Sequence, residues 1–291
     1  MRTKIETPPV FVSRVSCLSC MSNDLTEVTG GSFNDEPLRS FIDADPWGEN
    51  PLPVLAQHRW SLVECSACSM RFHRNILSPH WNEVRFSKWM SEDAIRQFEA
   101  THGTGESPAP AHAQHVLRLR QLGVSRLLDF GCGFGHFIEM CQLFGLDAVG
   151  VDRSDARRSG ANIAVFPELD QVPGTFDAIT MFEVLEHLDD PLGTLRALRK
   201  RLNSGGIMIV EVPDASGVHA INDRQSYYTI HPLEHINAFT PDSLVKMMAR
   251  VGFQPIFKAP AFVTTSFRRL LKDVGKAALK QRTTQRYFRC V

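Results

Sequence analysis

Residues 127–135 read Leu-Leu-Asp-Phe-Gly-Cys-Gly-Phe-Gly, and a second apolar stretch ending in a carboxylate, Val149-Gly-Val-Asp152, follows about twenty residues later. The run Arg126–Phe130 predicts a buried parallel strand. The glycines after it predict a turn tight enough for a ligand to lie against backbone. His136–Phe144 predicts a helix stopped by Gly145. Leu146–Asp152 then predicts a second strand with Asp152 at its tip. In open α/β sheets, ligands bind at the carboxyl ends of the strands.

Two kinds of nucleotide-like ligand suit such a layout. A dinucleotide wants its pyrophosphate on the helix N-terminus and a third glycine where this chain has His136. Asp129 would also oppose the pyrophosphate charge. S-adenosylmethionine has the opposite preference. Its ammonium suits Asp129, its methionine part can lie on Gly131, Cys132 and Gly133, and its ribose hydroxyls suit Asp152. Arg153 is grouped with these residues. The Cys132 side chain is expected to contribute backbone only.

These segments resemble motifs I and II of the class I S-adenosylmethionine-dependent methyltransferases. Phe176–Pro191 resembles that family's fourth strand and following helix, and Leu198–Pro213 its helix, Gly-Gly turn and fifth strand. The resemblance spans about residues 112 to 262. It implies an α/β, Rossmann-like, seven-stranded sheet with helices on both faces. It also implies that Phe182 and Glu183 border the adenosine or methyl site.

Composition agrees with an enzyme core. The chain has 291 residues, 43% of them hydrophobic, and 32 basic side chains balance 32 acidic ones. Zero net charge removes a global electrostatic argument for nucleic-acid binding. No apolar stretch reaches the roughly 20 residues needed to span a bilayer. The N-terminus lacks a secretory apolar region, so a cytoplasmic location is expected.

Cys17-Leu-Ser-Cys20 and Cys65-Ser-Ala-Cys68 are two C-x-x-C knuckles, each preceded by a short strand pattern. Two knuckles complete a tetrahedral zinc site, and an all-cysteine set makes it structural. The alternative is four reduced, buried cysteines. Residues 21–64, acidic and carrying Gly30-Gly31, read as an exposed insertion. The expected organisation is a zinc ribbon with acidic insertion over 1–78, a helical cover and linker over 79–110, the S-adenosylmethionine-binding domain over 111–265, and a basic amphipathic tail over 266–291. The segment around Trp81, Phe86 and Trp89 either covers the ligand pocket or simply packs. The tail either packs on the core or touches an anionic partner or a membrane surface.

A ribbon joined to this core resembles bacterial sugar and small-metabolite methyltransferases, including sugar C-methyltransferases. Those enzymes carry a further C-terminal α/β domain that these 291 residues do not contain. Methyl transfer needs in-line alignment, and a hydroxyl or carbon acceptor also needs a base. His187, four residues after Glu183, is expected on the same helix face, as a base or as a residue orienting the turn. The Glu234-His235 pair resembles the acid-histidine pair assigned to base catalysis in sugar methyltransferases; a backbone-bonded structural histidine is the alternative. His231 and Tyr227 are weaker candidates for substrate contacts. The expected acceptor is a small polar molecule, such as a sugar or glycan precursor, methylated on oxygen or carbon. Competing readings are a catalytically silent scaffold, an NAD-linked oxidoreductase opposed by Asp129 and His136, and a nucleic-acid methyltransferase, for which no Asn-Pro-Pro-Tyr-like motif is present.

Overall fold

The structure, a computed structural model, describes residues 9–89, 109–154, 158, 163–256 and 286–291. The chain divides into two compact units, residues 1–105 with 215–238 and residues 106–214 with 239–291.

In the first unit, β1 (Phe11–Ser13) pairs antiparallel with β5 (Asn75–Leu77). A four-stranded sheet holds β2 (Leu25–Ser32), β3 (Arg59–Cys65), β4 (Arg71–His73) and β11 (Asn237–Ala238), in the order β11-β4-β3-β2. The stretch read as an exposed insertion is instead structured. It supplies β2, α1 (Leu38–Asp43) and α2 (Leu52–Leu55). Its Phe33, Leu38, Ile42 and Leu55 are buried with Trp60, Trp89 and Tyr227 in the unit's core. The acidic side chains lie between apolar positions that point inward, so composition misled where spacing would have helped. After α3 (Pro79–Val84), a π-helical turn Arg85–Trp89 delivers Trp89 into this core, where Trp81 packs at 5.7 Å. Burial decides the alternatives posed for Trp89 in favour of packing. The rest of the expected cover and linker, residues 90–108, lies outside the described residues.

The second unit is a seven-stranded sheet ordered β12-β13-β10-β9-β6-β7-β8. It contains β6 (Arg126–Phe130), β7 (Asp147–Val151), β8 (Val165–Phe166), β9 (Phe176–Phe182), β10 (Leu202–Glu211), β12 (Phe253–Ile256) and β13 (Arg286–Cys290). β8, β7, β6, β9 and β10 run parallel, and β13 is antiparallel to both β10 and β12. The helices are α4 (Ala109–Gln121), α5 (His136–Leu143), α6 (Pro191–Arg199) and α8 (Pro241–Arg250); α7 (Arg224–Thr229) belongs to the first unit. Leu127, Ala148, Ala178 and Ile207 from the strands pack with Val116, Leu119, Phe137 and Ile138 from α4 and α5. Sequence signals for the ends hold locally. Asp190 caps α6 by accepting from the Gly193 amide at 2.9 Å, and Thr240 caps α8 by accepting from Ser243. The tail expectation changes at its end. Arg286–Cys290 is a strand between β12 and β10 with Tyr287 and Phe288 buried, whereas residues 266–285 lie outside the described residues.

Candidate functional site

The glycine loop after β6 sits at the carboxyl ends of the parallel strands. Gly131 has φ +78°, and a Cβ there would stand 2.3 Å from Val184 Cγ2, so no larger residue fits. Gly133 also has positive φ, +56°, but nothing lies within 4 Å of its would-be Cβ. Its outer face is open backbone. Cys132 turns inward, and a Cβ on Gly150 would meet its Sγ at 2.4 Å.

Asp152 follows β7 and is 7% exposed. Its Oδ2 accepts from the Gly133 amide and its Oδ1 from the Ser154 amide, each at 2.9 Å. The carboxylate thus ties the glycine loop to the next strand end. Arg153 points outward, its Nε 3.6 Å from Glu168. Asp129 is buried in β6 and accepts from Thr180 Oγ1 at 2.6 Å. Burial, with the charge of Asp152 adding, pushes its pKa up to about 7. A buried acid poised near neutrality is the kind of group a cationic ligand pulls into the ionised form.

Phe182 ends β9 and meets Phe137 edge-on, ring centroids 5.0 Å apart. Glu183, next in the chain, has φ +53°, a left-handed conformation uncommon for a non-glycine residue and characteristic of functional sites. The helix face expected for Glu183 and His187 is therefore not formed. Only Leu185–His187 is helical, as a single 3-10 turn, and Glu183 lies outside it. Glu186 is 1% exposed, and burial followed by the charge of Glu183 pushes its pKa up to about 9. His187 Nε2 lies 3.7 Å from Glu186 Oε1. Glu183 is raised too, by burial and by Glu211. Sequence reading placed Glu186 in the run Glu183-Val-Leu-Glu186-His187 without giving it a role, and it missed Glu211, which no spacing in that run reveals.

Glu234 and His235 belong to the first unit. Glu234 faces Arg85, which is 5% exposed, at 3.9 Å. His235 sits half-buried on the chain between a turn and β11. Tyr227 and His231 are core residues. Tyr227 Oη lies 2.7 Å from His231 Nε2, and both reach Asp45. This corrects their reading as substrate contacts, since both are buried.

The thiols of Cys17, Cys20, Cys65 and Cys68 all lie within 4.8 Å of one another. The Cys17–Cys68 and Cys20–Cys65 sulfurs are each 3.5 Å apart. Four sulfurs around a zinc ion with bonds of 2.3 Å would be about 3.8 Å apart, close to the separations here, so the four thiols fit such an ion. Met21 and Ser69, each directly after a knuckle, both take positive φ, 64° and 62°. The two knuckles are thus built alike. Burial pushes the Cys17 and Cys68 thiols up, while at Cys65 hydrogen bonds from Cys20 and from the Ala67 and Cys68 amides outweigh burial and lower it. Thiolates crowded in this way need a cation to be ionised together.

A family model described as "Methyltransferase domain" matches residues 88–256, more than half of the chain. Among curated relatives, a "Ubiquinone biosynthesis O-methyltransferase" of Cereibacter sphaeroides is 29% identical over 150 residues, covering 45% of this chain and 61% of the relative. The protein of that name from Marinobacter nauticus is 31% identical over 147 residues, covering 42% of this chain and 62% of the relative. The match therefore spans about three fifths of the length of these relatives. Among solved structures, an S-adenosylmethionine-dependent methyltransferase from Archaeoglobus fulgidus covers 67% of this chain and 97% of its own at 19% identity and a TM-score of 0.43.

Proposed function

The chain belongs to the methyltransferase-domain family, and we propose that it transfers a methyl group from S-adenosylmethionine to oxygen or carbon of a small polar acceptor, such as a sugar or glycan precursor. One observation carries the reading: two buried acids, Asp129 and Asp152, bracket the open backbone of Gly133 at the strand ends. In this reading Asp129 takes the ammonium of the donor, directly or through water. Gly131, Cys132 and Gly133 line its methionine part, Asp152 shares its remaining lone pairs with the ribose, and Phe182 and Glu183 border the methyl. Arg153, pointing to solvent, takes part only by turning inward. His187 and His235 are the imidazole candidates for an acceptor-side base, and Glu234 acts as the partner of Arg85. The four cysteines hold a structural zinc ion.

No helix among the described residues is long and apolar enough to cross a membrane. The test is calorimetric titration of the purified protein with S-adenosylmethionine, S-adenosylhomocysteine and NAD. Binding of the first two alone supports the reading; binding of NAD, or of nothing, rejects it. An acceptor screen over nucleotide sugars, glycan intermediates and phenols then follows, with His235→Ala as the variant that keeps cofactor affinity and loses turnover.

A further inference from the structure

One cluster of titratable groups in the second unit is unused by this reading. Glu211 ends β10, in register with Phe182 at the end of β9, and its carbonyl accepts from the Glu183 amide at 2.9 Å. Its side chain is 36% exposed, and Oε2 lies 3.9 Å from Nε2 of His115, a side chain only 4% exposed. The other imidazole nitrogen, Nδ1, is 2.6 Å from Tyr287 Oη on β13. The His115 ring is clamped between Phe182, at 5.0 Å, and Tyr287, at 5.8 Å with the planes 25° apart. Three elements distant in sequence, α4, β10 and β13, therefore converge on one imidazole with a partner at each nitrogen.

Proton placement follows from the surroundings. Burial, with Glu211 adding and Arg118 opposing, pushes the Tyr287 phenol above the usual tyrosine range, so it keeps its proton. With the proton of the neutral imidazole on Nε2, that nitrogen can donate toward Glu211 while Nδ1 accepts from the phenol. The other groups near this cluster are His112 on α4, whose ring stacks on Phe182, Arg118 on α4, whose charge acts on Tyr287, and Glu183 and Glu186 after β9, whose charges act with that of Glu211. Glu186, pushed up to about 9 by burial, holds its own proton at neutral pH. Asp129 and Asp152 are engaged by Thr180 and by two amides. In the order β7-β6-β9-β10, Asp152 and the glycine loop occupy the ends of the first two strands. An acceptor approaching the methyl group meets the ends of the last two, where Glu211 stands.

We propose that Glu211 takes and keeps the proton lost by an acceptor hydroxyl, and that His115, itself braced by Tyr287, is a positioning residue that holds its carboxylate. The inference rests on the methyl-transfer reading. In the step, the acceptor oxygen forms its bond to the methyl carbon while the carbon–sulfur bond breaks. The bonding pair stays on sulfur, leaving a neutral thioether, and the hydroxyl proton moves to Glu211.

The experiment uses the full chain loaded with S-adenosylhomocysteine, with imidazole ¹⁵N NMR titrations of wild type, Glu211→Gln and Tyr287→Phe. Loading itself separates the outcomes, because failure to bind S-adenosylhomocysteine strikes the methyl-transfer reading and not the Glu211 assignment. An opposite charge at this distance favours the imidazolium by about one pK unit or more, so Glu211→Gln should lower the His115 proton affinity about tenfold. Tyr287→Phe should change the His115 tautomer signature. A His115 midpoint unmoved by Glu211→Gln overturns the positioning role of His115. With S-adenosylmethionine as donor and catechol as the hydroxyl probe, Glu211→Gln should lower kcat at least about hundredfold, with S-adenosylhomocysteine affinity kept. Wild-type turnover in Glu211→Gln, a collapse seen only in His235→Ala, or a wild type supplied with S-adenosylmethionine and inert toward catechol each overturns the assignment.

Discussion

Alanine at two neighbouring glycines should separate folding from binding. Gly131 and Gly133 both have positive φ, so either substitution costs about 1–2 kcal/mol in backbone strain. At Gly131 a new Cβ also lands 2.3 Å from Val184 Cγ2, a separation no relaxed contact tolerates. Val184 must move, and it precedes the buried Leu185 and Glu186, so overpacking adds about 1–3 kcal/mol. Gly131→Ala should therefore lose about 2–5 kcal/mol in total, an appreciable share of a domain's stability. At Gly133 no atom lies within 4 Å of the added methyl, so the loss should stop at the strain alone. That methyl would instead occupy the open face where the methionine part of the donor is expected to lie. Denaturant melts and calorimetry on both variants give the comparison. Gly133→Ala should melt close to wild type yet bind S-adenosylhomocysteine at least about tenfold more weakly, the equivalent of 1.4 kcal/mol. Wild-type affinity in a folded Gly133→Ala would refute the placement of the ligand on this loop.

Three further outcomes follow from the same geometry. Asp152→Ala removes a charged acceptor from two amides and from the expected ribose, so cofactor affinity should fall by about 1.5–3 kcal/mol, and calorimetry showing unchanged affinity would remove its ribose role. Burial lifts the folded-state pKa of Asp129 from 3.8 to about 7, so between those values the folded chain holds a proton that the unfolded chain has released, and stability falls as pH rises. S-adenosylmethionine binding needs the ionised form, so its affinity should rise through about pH 7; a flat profile, or the same profile in Asp129→Asn, contradicts the ammonium assignment. Cys17→Ser should abolish stoichiometric zinc measured by metal analysis and lower the melting temperature, while purified wild type without zinc or another bound metal would end the metal reading.

The parts of the fold legible in sequence are those fixed by local signals. Arg126–Phe130, the glycine turn and Leu146–Asp152 announce themselves through apolar runs, positive-φ glycines and acidic strand ends. Thr240-Pro241 and Asp190-Pro191 mark helix starts by caps that need no tertiary information. The losses have a common cause in long-range contacts. The pattern Arg-Tyr-Phe-Arg-Cys at 286–290 has an aromatic pair suited to a strand, but its slot between β12 and β10 depends on partners far back in the chain. Basic composition then suggested a surface tail. The acidic stretch 21–64 misled in the opposite direction, because charge counts outweighed Phe33, Leu38, Ile42 and Leu55, which are buried. At the candidate site, Asp129, Asp152 and the loop glycines could be picked out by residue type and spacing. His115, Glu211 and Tyr287 could not, since nothing in a sequence brings α4, β10 and β13 together.

The hardest element to read was the return of residues 215–238 to the first unit. The segment follows β10 directly, and continuity alone assigns it to the larger sheet. Its bonds say otherwise. Asn237–Ala238 pairs with β4, Arg14 reaches the Asn237 side chain at 2.8 Å, and His73 Nε2 lies 2.9 Å from the Ile230 carbonyl. Arg71 Nη1 donates to the carbonyls of Ala215 and Val218, and Tyr227 and His231 reach Asp45. The stretch carrying Glu234 and His235 is thus anchored in the same small sheet whose β3–β4 turn bears Cys65 and Cys68. A sheet of four strands is small for independent stability, so a metal clamping its two turns would steady that whole stretch as well. Zinc in this position would then steady the backbone that carries Glu234 and His235 without taking part in chemistry, which is the role expected of a closed, all-cysteine site.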